Sequence, residues 1–115
     1  MSLLLAKEGV DVNQAHKDGY TPLYFASENG HTKVVSLLLA KEGVDVNLAN
    51  KNGVTPLYVA SENGDTEVVS LLLAKEGVDV NQANKDGVTP LLFASQNGHT
   101  KVVSLLLAKE GVDVN

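Results

Sequence analysis

Two kinds of apolar run alternate along the chain. The first is short: Leu23 and Ala26, three residues apart, mark one stripe in Pro22-Leu23-Tyr24-Phe25-Ala26-Ser27. The second, Val34-Val35-Ser36-Leu37-Leu38-Leu39-Ala40, is apolar on nearly every side. A stripe at spacing three to four marks a helix with one buried side, and an apolar helix with no polar side needs cover on two. The pattern therefore predicts a pair of helices. Thr21 can cap the first with its hydroxyl, Pro22 suits the first helical position, and Gly30 stops it after about Asn29. The second is predicted to start near His31 or Thr32 and to run to Glu42, with Gly43 as its cap. The polar stretch before the pair, residues 14–19, ends in Asp18-Gly19, which favours a tight turn tip.

The same pair returns every 34 residues. Residues 34–47 recur unchanged at 68–81 and 102–115, and from Ser36 onward they match residues 2–13. Across the three full units, 14–47, 48–81 and 82–115, 25 of 34 columns are identical, and residues 1–13 read as a leading half unit with one helix and its turn. A fixed period of about 20–50 residues is the signature of a stacked array, in which each unit contacts only its neighbours.

Two words carry the identity of that array: Gly19-x-Thr21-Pro22-Leu23 and Gly43-Val44-Asp45-Val46-Asn47, each present three times at matching offsets. In them the chain resembles the ankyrin-repeat family. The resemblance implies an all-α solenoid of stacked helix-turn-helix units with short β-hairpin-like tips. It also implies a non-catalytic module that binds other proteins through the tips and the concave face of the first helices. Three departures stand out. The units have 34 residues where about 33 are usual, and the extra one falls within residues 39–43, so the second helix or its cap is expected to be longer by one position. Tyr24, Tyr58 and Leu92 occupy the place of the family's His, which removes its usual hydrogen bond to Thr. Ser27, Ser61 and Ser95 replace a usual alanine.

Composition narrows the functional classes. The net charge is −5, with nine lysines, no arginine and no basic stripe, which argues against a nucleic-acid partner. No run reaches the ~18 apolar residues of a membrane span, and Met1-Ser2-Leu3-Leu4-Leu5-Ala6 lacks the basic start and the length of a signal peptide. The absence of cysteine excludes disulfides and thiolate chemistry and fits a reducing intracellular compartment such as the cytoplasm.

Candidate chemistry is sparse. No Gly-x-Ser-x-Gly elbow accompanies the Ser, His and Asp residues. His31 and His99 open the second helices, where local hydrogen bonding explains them, and Asp65 holds the same place in the middle unit. Asp11, Asp45 and Asp79 start runs that match a calcium loop at positions one and three and then fail: the sixth-position glycine is His16, Asn50 or Asn84. The Asp-x-Asn pairs read instead as turn chemistry. Neither a catalytic residue, a metal site nor a cofactor is expected.

The differences between units are more informative. Nine columns vary, at Gln14, His16, Asp18, Tyr20, Tyr24, Phe25, Glu28, His31 and Lys33 of the first unit, and none falls within residues 34–47. With the face that the resemblance implies, they give a candidate partner-binding surface of Lys17, Asp18, Tyr20, Tyr24, Glu28, Asn52, Val54, Tyr58, Glu62, Asp86, Val88 and Gln96. Tyr20, Tyr24 and Tyr58 would be its aromatic anchors. Phe25, Val59 and Phe93 are assigned to the core, because they share a helix with Leu23 and Ala26 or their equivalents. The middle unit carries −3, the first −1 and the third none, a bias toward a basic partner segment near the middle.

The ends give the alternative function. Leu3, Leu4, Leu5 and Leu105, Leu106, Leu107 repeat the interior words where a solenoid normally places polar caps. Self-association through uncapped apolar ends is the expected consequence. A two-fold homodimer that buries like ends fits better than a head-to-tail filament, whose joint would set two second-type helices in succession. The near-identity of the units leaves two origins open, an engineered consensus-like array or an excerpt of a longer one.

Overall fold

The computed structural model describes residues 12–114. Six helices lie among them: α1 (Pro22–Glu28), α2 (Thr32–Leu39), α3 (Pro56–Asn63), α4 (Thr66–Ala74), α5 (Pro90–Gln96) and α6 (Thr100–Ala108). The leading half unit, residues 1–13 with Leu3, Leu4 and Leu5, falls almost wholly outside the described residues. Each unit packs its two helices together. Successive first helices (α1, α3, α5) form one row and successive second helices (α2, α4, α6) form another. The result is an all-α solenoid measuring 42 × 25 × 23 Å.

The first helices start as the sequence predicts. The Thr21, Thr55 and Thr89 hydroxyls accept from the backbone N–H groups of Tyr24, Tyr58 and Leu92 at 3.1–3.2 Å, and each threonine precedes a proline that begins the helix. Gly64 closes α3 in the left-handed region, at φ 70°. In the second helices Asp65 caps α4 through Val68 N–H at 3.2 Å, whereas His31 and His99 donate or accept no side-chain cap bond.

The second helices are shorter than predicted. They stop at Leu39, Ala74 and Ala108, before reaching Glu42 or its equivalents. At Lys75 and Lys109 the backbone turns extended, with ψ of 129°, and the ammonium groups reach across to the preceding unit. Lys75 Nζ donates to the Leu39 carbonyl at 3.1 Å, and Lys109 Nζ to that of Leu73 at 2.9 Å. A cation thereby meets the negative end of the neighbouring helix, a favourable charge–dipole arrangement. The following Lys-Glu-Gly-Val forms a turn, closed in the middle unit by Val78 N–H on the Lys75 carbonyl, with Gly77 at the φ of 86° that its third position requires. The extra residue per unit therefore does not lengthen the helix.

The core is built from invariant columns and lies between rows and between units. Leu38, Leu72 and Leu106 are fully buried, as are Val35 and Val69. Burial depends on neighbours as well as sequence. In α3 every residue from Pro56 to Ser61 is buried; in α5 only Pro90 and Ala94 are. The middle unit is covered on two sides, and the third has a neighbour on one.

Polar groups stitch the units together at both edges. At the tips, Asn50 and Asn84 each accept two backbone N–H groups of their own turn, those of Asn52 and Val54 and of Asp86 and Val88. His16 Nδ1 makes the first of these two bonds, accepting from Asp18 N–H at 3.0 Å. Consecutive tips are joined by Lys51 N–H on the Asp18 carbonyl and Lys85 N–H on that of Asn52. A Cβ at Gly53 would meet Lys85 N at 2.9 Å, so this contact requires glycine as much as the φ of 78° does. These hydrogen-bonded turns are the hairpin-like tips, without a strand among the described residues. At the opposite end of each unit, Asn47 donates to the Gly77 carbonyl at 2.8 Å and accepts from Asp79 N–H at 2.7 Å. Asn13 and Asn81 make the same paired bonds to the units that follow them.

Candidate functional site

Seven of the nine variable columns lie on the tips and the first-helix row; the other two, those of His31 and Lys33, lie at the start of the second helices. Lys17, Glu28, Glu62, Asp86 and Gln96 are exposed, while Asp18, Tyr20, Asn52, Val54 and Val88 are half-buried. Lys51 and Asp18 form an ion pair at 3.3 Å between neighbouring tips. The last turns of α1, α3 and α5 present Glu28, Glu62 and Gln96 at the same position in successive units, two carboxylates and one amide in a row.

Two of the expected aromatic anchors are not available at the surface. Tyr24 and Tyr58 are only 7% and 5% exposed, and the Tyr24 ring packs beside Tyr20 and Phe25 of its own unit. Tyr58 lies 5.3 Å from the Phe93 ring, and its hydroxyl accepts from Asn84 Nδ2 at 3.3 Å. The aromatic residue in place of the family's histidine thus contacts the next unit, and Leu92, at the same position in the third unit, is 46% exposed. Burial pushes the Tyr24 phenol up to about 12, with Glu28, Tyr20 and Glu62 adding to the shift. Tyr58 is raised by burial, then by Glu62 and Asp86. Glu28 and Glu62 therefore act on these two phenols, while Lys17, Lys51 and Lys85 on the tips offset most of the acidic charge of the face.

Phe25 takes the place of Tyr24. It is 41% exposed, contrary to its assignment to the core, and Phe93 is half-buried; Val59 is buried as expected. On a helix at about 100° per residue, Phe25 sits some 200° from Leu23, facing away from the stripe of Leu23, Ala26 and Ser27. Val59 has the same angle on α3 and is buried, so the angle alone does not decide exposure. Phe25 lies 5.5 Å from the Tyr20 ring and 5.6 Å from His16, and His16 stacks edge-on against Tyr20 at 4.9 Å. The three rings form a partly exposed aromatic cluster at the first tip. His16 and Phe25 were missing from the candidate surface.

The expectation of local hydrogen bonding fails for His99, whose bond crosses to the preceding unit. His99 Nε2 donates to the Glu62 carbonyl of the preceding unit at 2.9 Å. Ser95 donates to the Leu91 carbonyl at 2.7 Å, whereas the Ser27 and Ser61 hydroxyls are buried without a partner. No helix among the described residues is long and apolar enough to cross a membrane.

The end of the stack differs from the expectation too. Leu106 is fully buried in α6 and Leu105 is half-buried, so Leu106 cannot belong to an associating surface. The exposed large apolar residues there are Leu92, Leu107 and Val114, and they border a cavity of about 400 Å³ with Leu91 and Val103.

Similarity to known proteins agrees with this geometry. A family model described as ankyrin repeats (3 copies) matches residues 1–84 and 39–115. Cortactin-binding protein 2 from Echinops telfairi, Ovis aries and Mus musculus is 49% identical over 35 residues in each case, covering 30% of this chain. The chain spans about 2% of the length of these relatives.

Proposed function

The chain belongs to the ankyrin-repeat family, whose repeats bind other proteins, and on that premise we propose that it binds a protein segment across the tips and the first-helix row. One observation carries the reading: seven of the nine columns that differ between units lie on this face, with an aromatic cluster at one end and carboxylates along it. Tyr20 and Phe25 are the anchors, being large, partly exposed and braced by His16. Lys17, Asp18, Asn52, Val54, Asp86 and Val88 supply the tip contacts, and Glu28, Glu62 and Gln96 the row beside them. Tyr24 and Tyr58 shape the floor. The exposed Glu28 and Glu62 favour a segment with lysine or arginine beside an apolar or aromatic residue. The relatives' name records cortactin binding by a far longer protein; it supports protein binding as the class of activity and no particular partner. The family is typically non-enzymatic.

Selection of a random-peptide phage library on the immobilised chain tests this. Enriched peptides should be basic with an aromatic or apolar residue, and should lose binding to Phe25→Ala and to Glu62→Lys. Peptides that bind both variants as well as the parent would refute the face. The rival reading is self-association through the end of the stack, favoured by the exposed Leu92 and Leu107. It requires Leu107→Glu to abolish any concentration-dependent mass.

A further inference from the structure

We propose that the outer face of the second helices is a self-docking surface, on which two copies pair about a two-fold axis parallel to the helices and midway between α4 and α6. A groove of about 700 Å³ runs along this face, lined among others by Glu67, Ser70 and Leu71 of α4 and Lys101, Ser104 and Leu105 of α6. Its walls are mainly apolar, with Leu71 and Leu105 half-buried in them. The serines are small and leave room for an opposing leucine.

Charge selects both the occupant and the register. From Thr32 to Ala40 and in its two repeats, a single column differs between units: Lys33, Glu67, Lys101. All three are exposed, so their sign alternates along the face. An axis passing over α4 would set Glu67 against the partner's Glu67 and Lys33 against the partner's Lys101. An axis between α4 and α6 sets Glu67 against the partner's Lys101 twice, once in each direction, and Leu71 against the partner's Leu105. A surface that is apolar at its centre and self-complementary at its charged rim fits a second copy of itself. An axis between α2 and α4 would also pair opposite charges, but Leu37 does not line the groove. Pairing here leaves the tips and first helices of both copies uncovered, so a dimer would present two binding faces.

The test is the molar mass of the full chain by light scattering over a hundredfold range of concentration. The mass should rise from 12.1 kDa toward twice that value. Glu67→Lys and Lys101→Glu should each weaken pairing about tenfold or more, because each creates two like-charge contacts. The double exchange, Glu67→Lys with Lys101→Glu, should restore it. Lys101→Glu adds an acid to the first turn of α6, which the helix dipole favours, so loss of pairing in that variant is not a folding defect. A monomer at every concentration, a dimer indifferent to either single exchange, or a dimer lost on Leu107→Glu would each overturn the proposal.

Discussion

Deleting the same side chain at two places in the stack should have unequal consequences. Leu72 in α4 and Leu106 in α6 occupy one column, and both are fully buried. Truncating either to alanine removes the transfer energy of the lost atoms and leaves a cavity, at a cost of about 2–5 kcal/mol. Against a total stability of about 5–15 kcal/mol for a chain of this size, that is a large fraction. Its distribution depends on position. Leu72 belongs to the unit with neighbours on both sides, so Leu72→Ala weakens the link through which the outer units support each other. Leu106 belongs to the third unit, which has one described interface, so Leu106→Ala should release α5 and α6 before the rest. In a nearest-neighbour array these are different transitions. Urea titration followed by circular dichroism distinguishes them. Leu72→Ala should move the whole curve to lower urea, while Leu106→Ala should lose roughly a third of the helical signal in an early, separate phase, since α5 and α6 hold about a third of the helical residues. Equal shifts of a single transition for both variants would refute the argument, showing that the stack unfolds as one globule.

Three further outcomes follow from individual groups. Ser61→Ala should stabilise the chain by about 1 kcal/mol in thermal denaturation, because a buried hydroxyl without a partner is removed and a better helix former put in its place. Asn47→Ala breaks two bonds between units, to Gly77 and Asp79, and should cost about 1–2 kcal/mol in the same assay, near the low end for two bonds because water can replace them at an exposed edge. Stability should fall as the pH rises from about 10 toward about 12: the Tyr24 phenol stays protonated in the fold up to about 12, while the unfolded chain releases that proton near the ordinary value of 10. Urea midpoints across that interval should drop less steeply for Tyr24→Phe, which has no proton to lose.

The fold was legible because periodicity states it three times over. The Thr-Pro starts, the glycine stops and the invariant leucines each follow from local chemistry that repeats in phase. What was not legible depends on the neighbouring unit. The early end of the second helices reflects Lys75 and Lys109 reaching a carbonyl 36 residues back, which no local pattern reveals. Tyr24 and Tyr58 read as surface anchors because they vary or replace a usual residue, yet both are buried, Tyr58 against Phe93 and Asn84 of the next unit. The Asp-x-Asn turns were read correctly as turns; the asparagine's second function, bonding the next unit, appears only once the units are stacked. Phe25 belongs with them: its angle on α1 faces away from Leu23 and Ala26, yet Val59 has the same angle on α3 and is buried, so its exposure depends on the packing around its unit.

The claim that the tips and first helices form the binding face is tested most directly by mapping amide shifts in nuclear magnetic resonance as a peptide selected on the immobilised chain is added. The account predicts the largest changes at Tyr20, Phe25 and Glu28, continuing through Val54 and Glu62, with α4 and α6 unmoved. Changes concentrated on Leu71 and Leu105, or around Leu92 and Leu107, would contradict it.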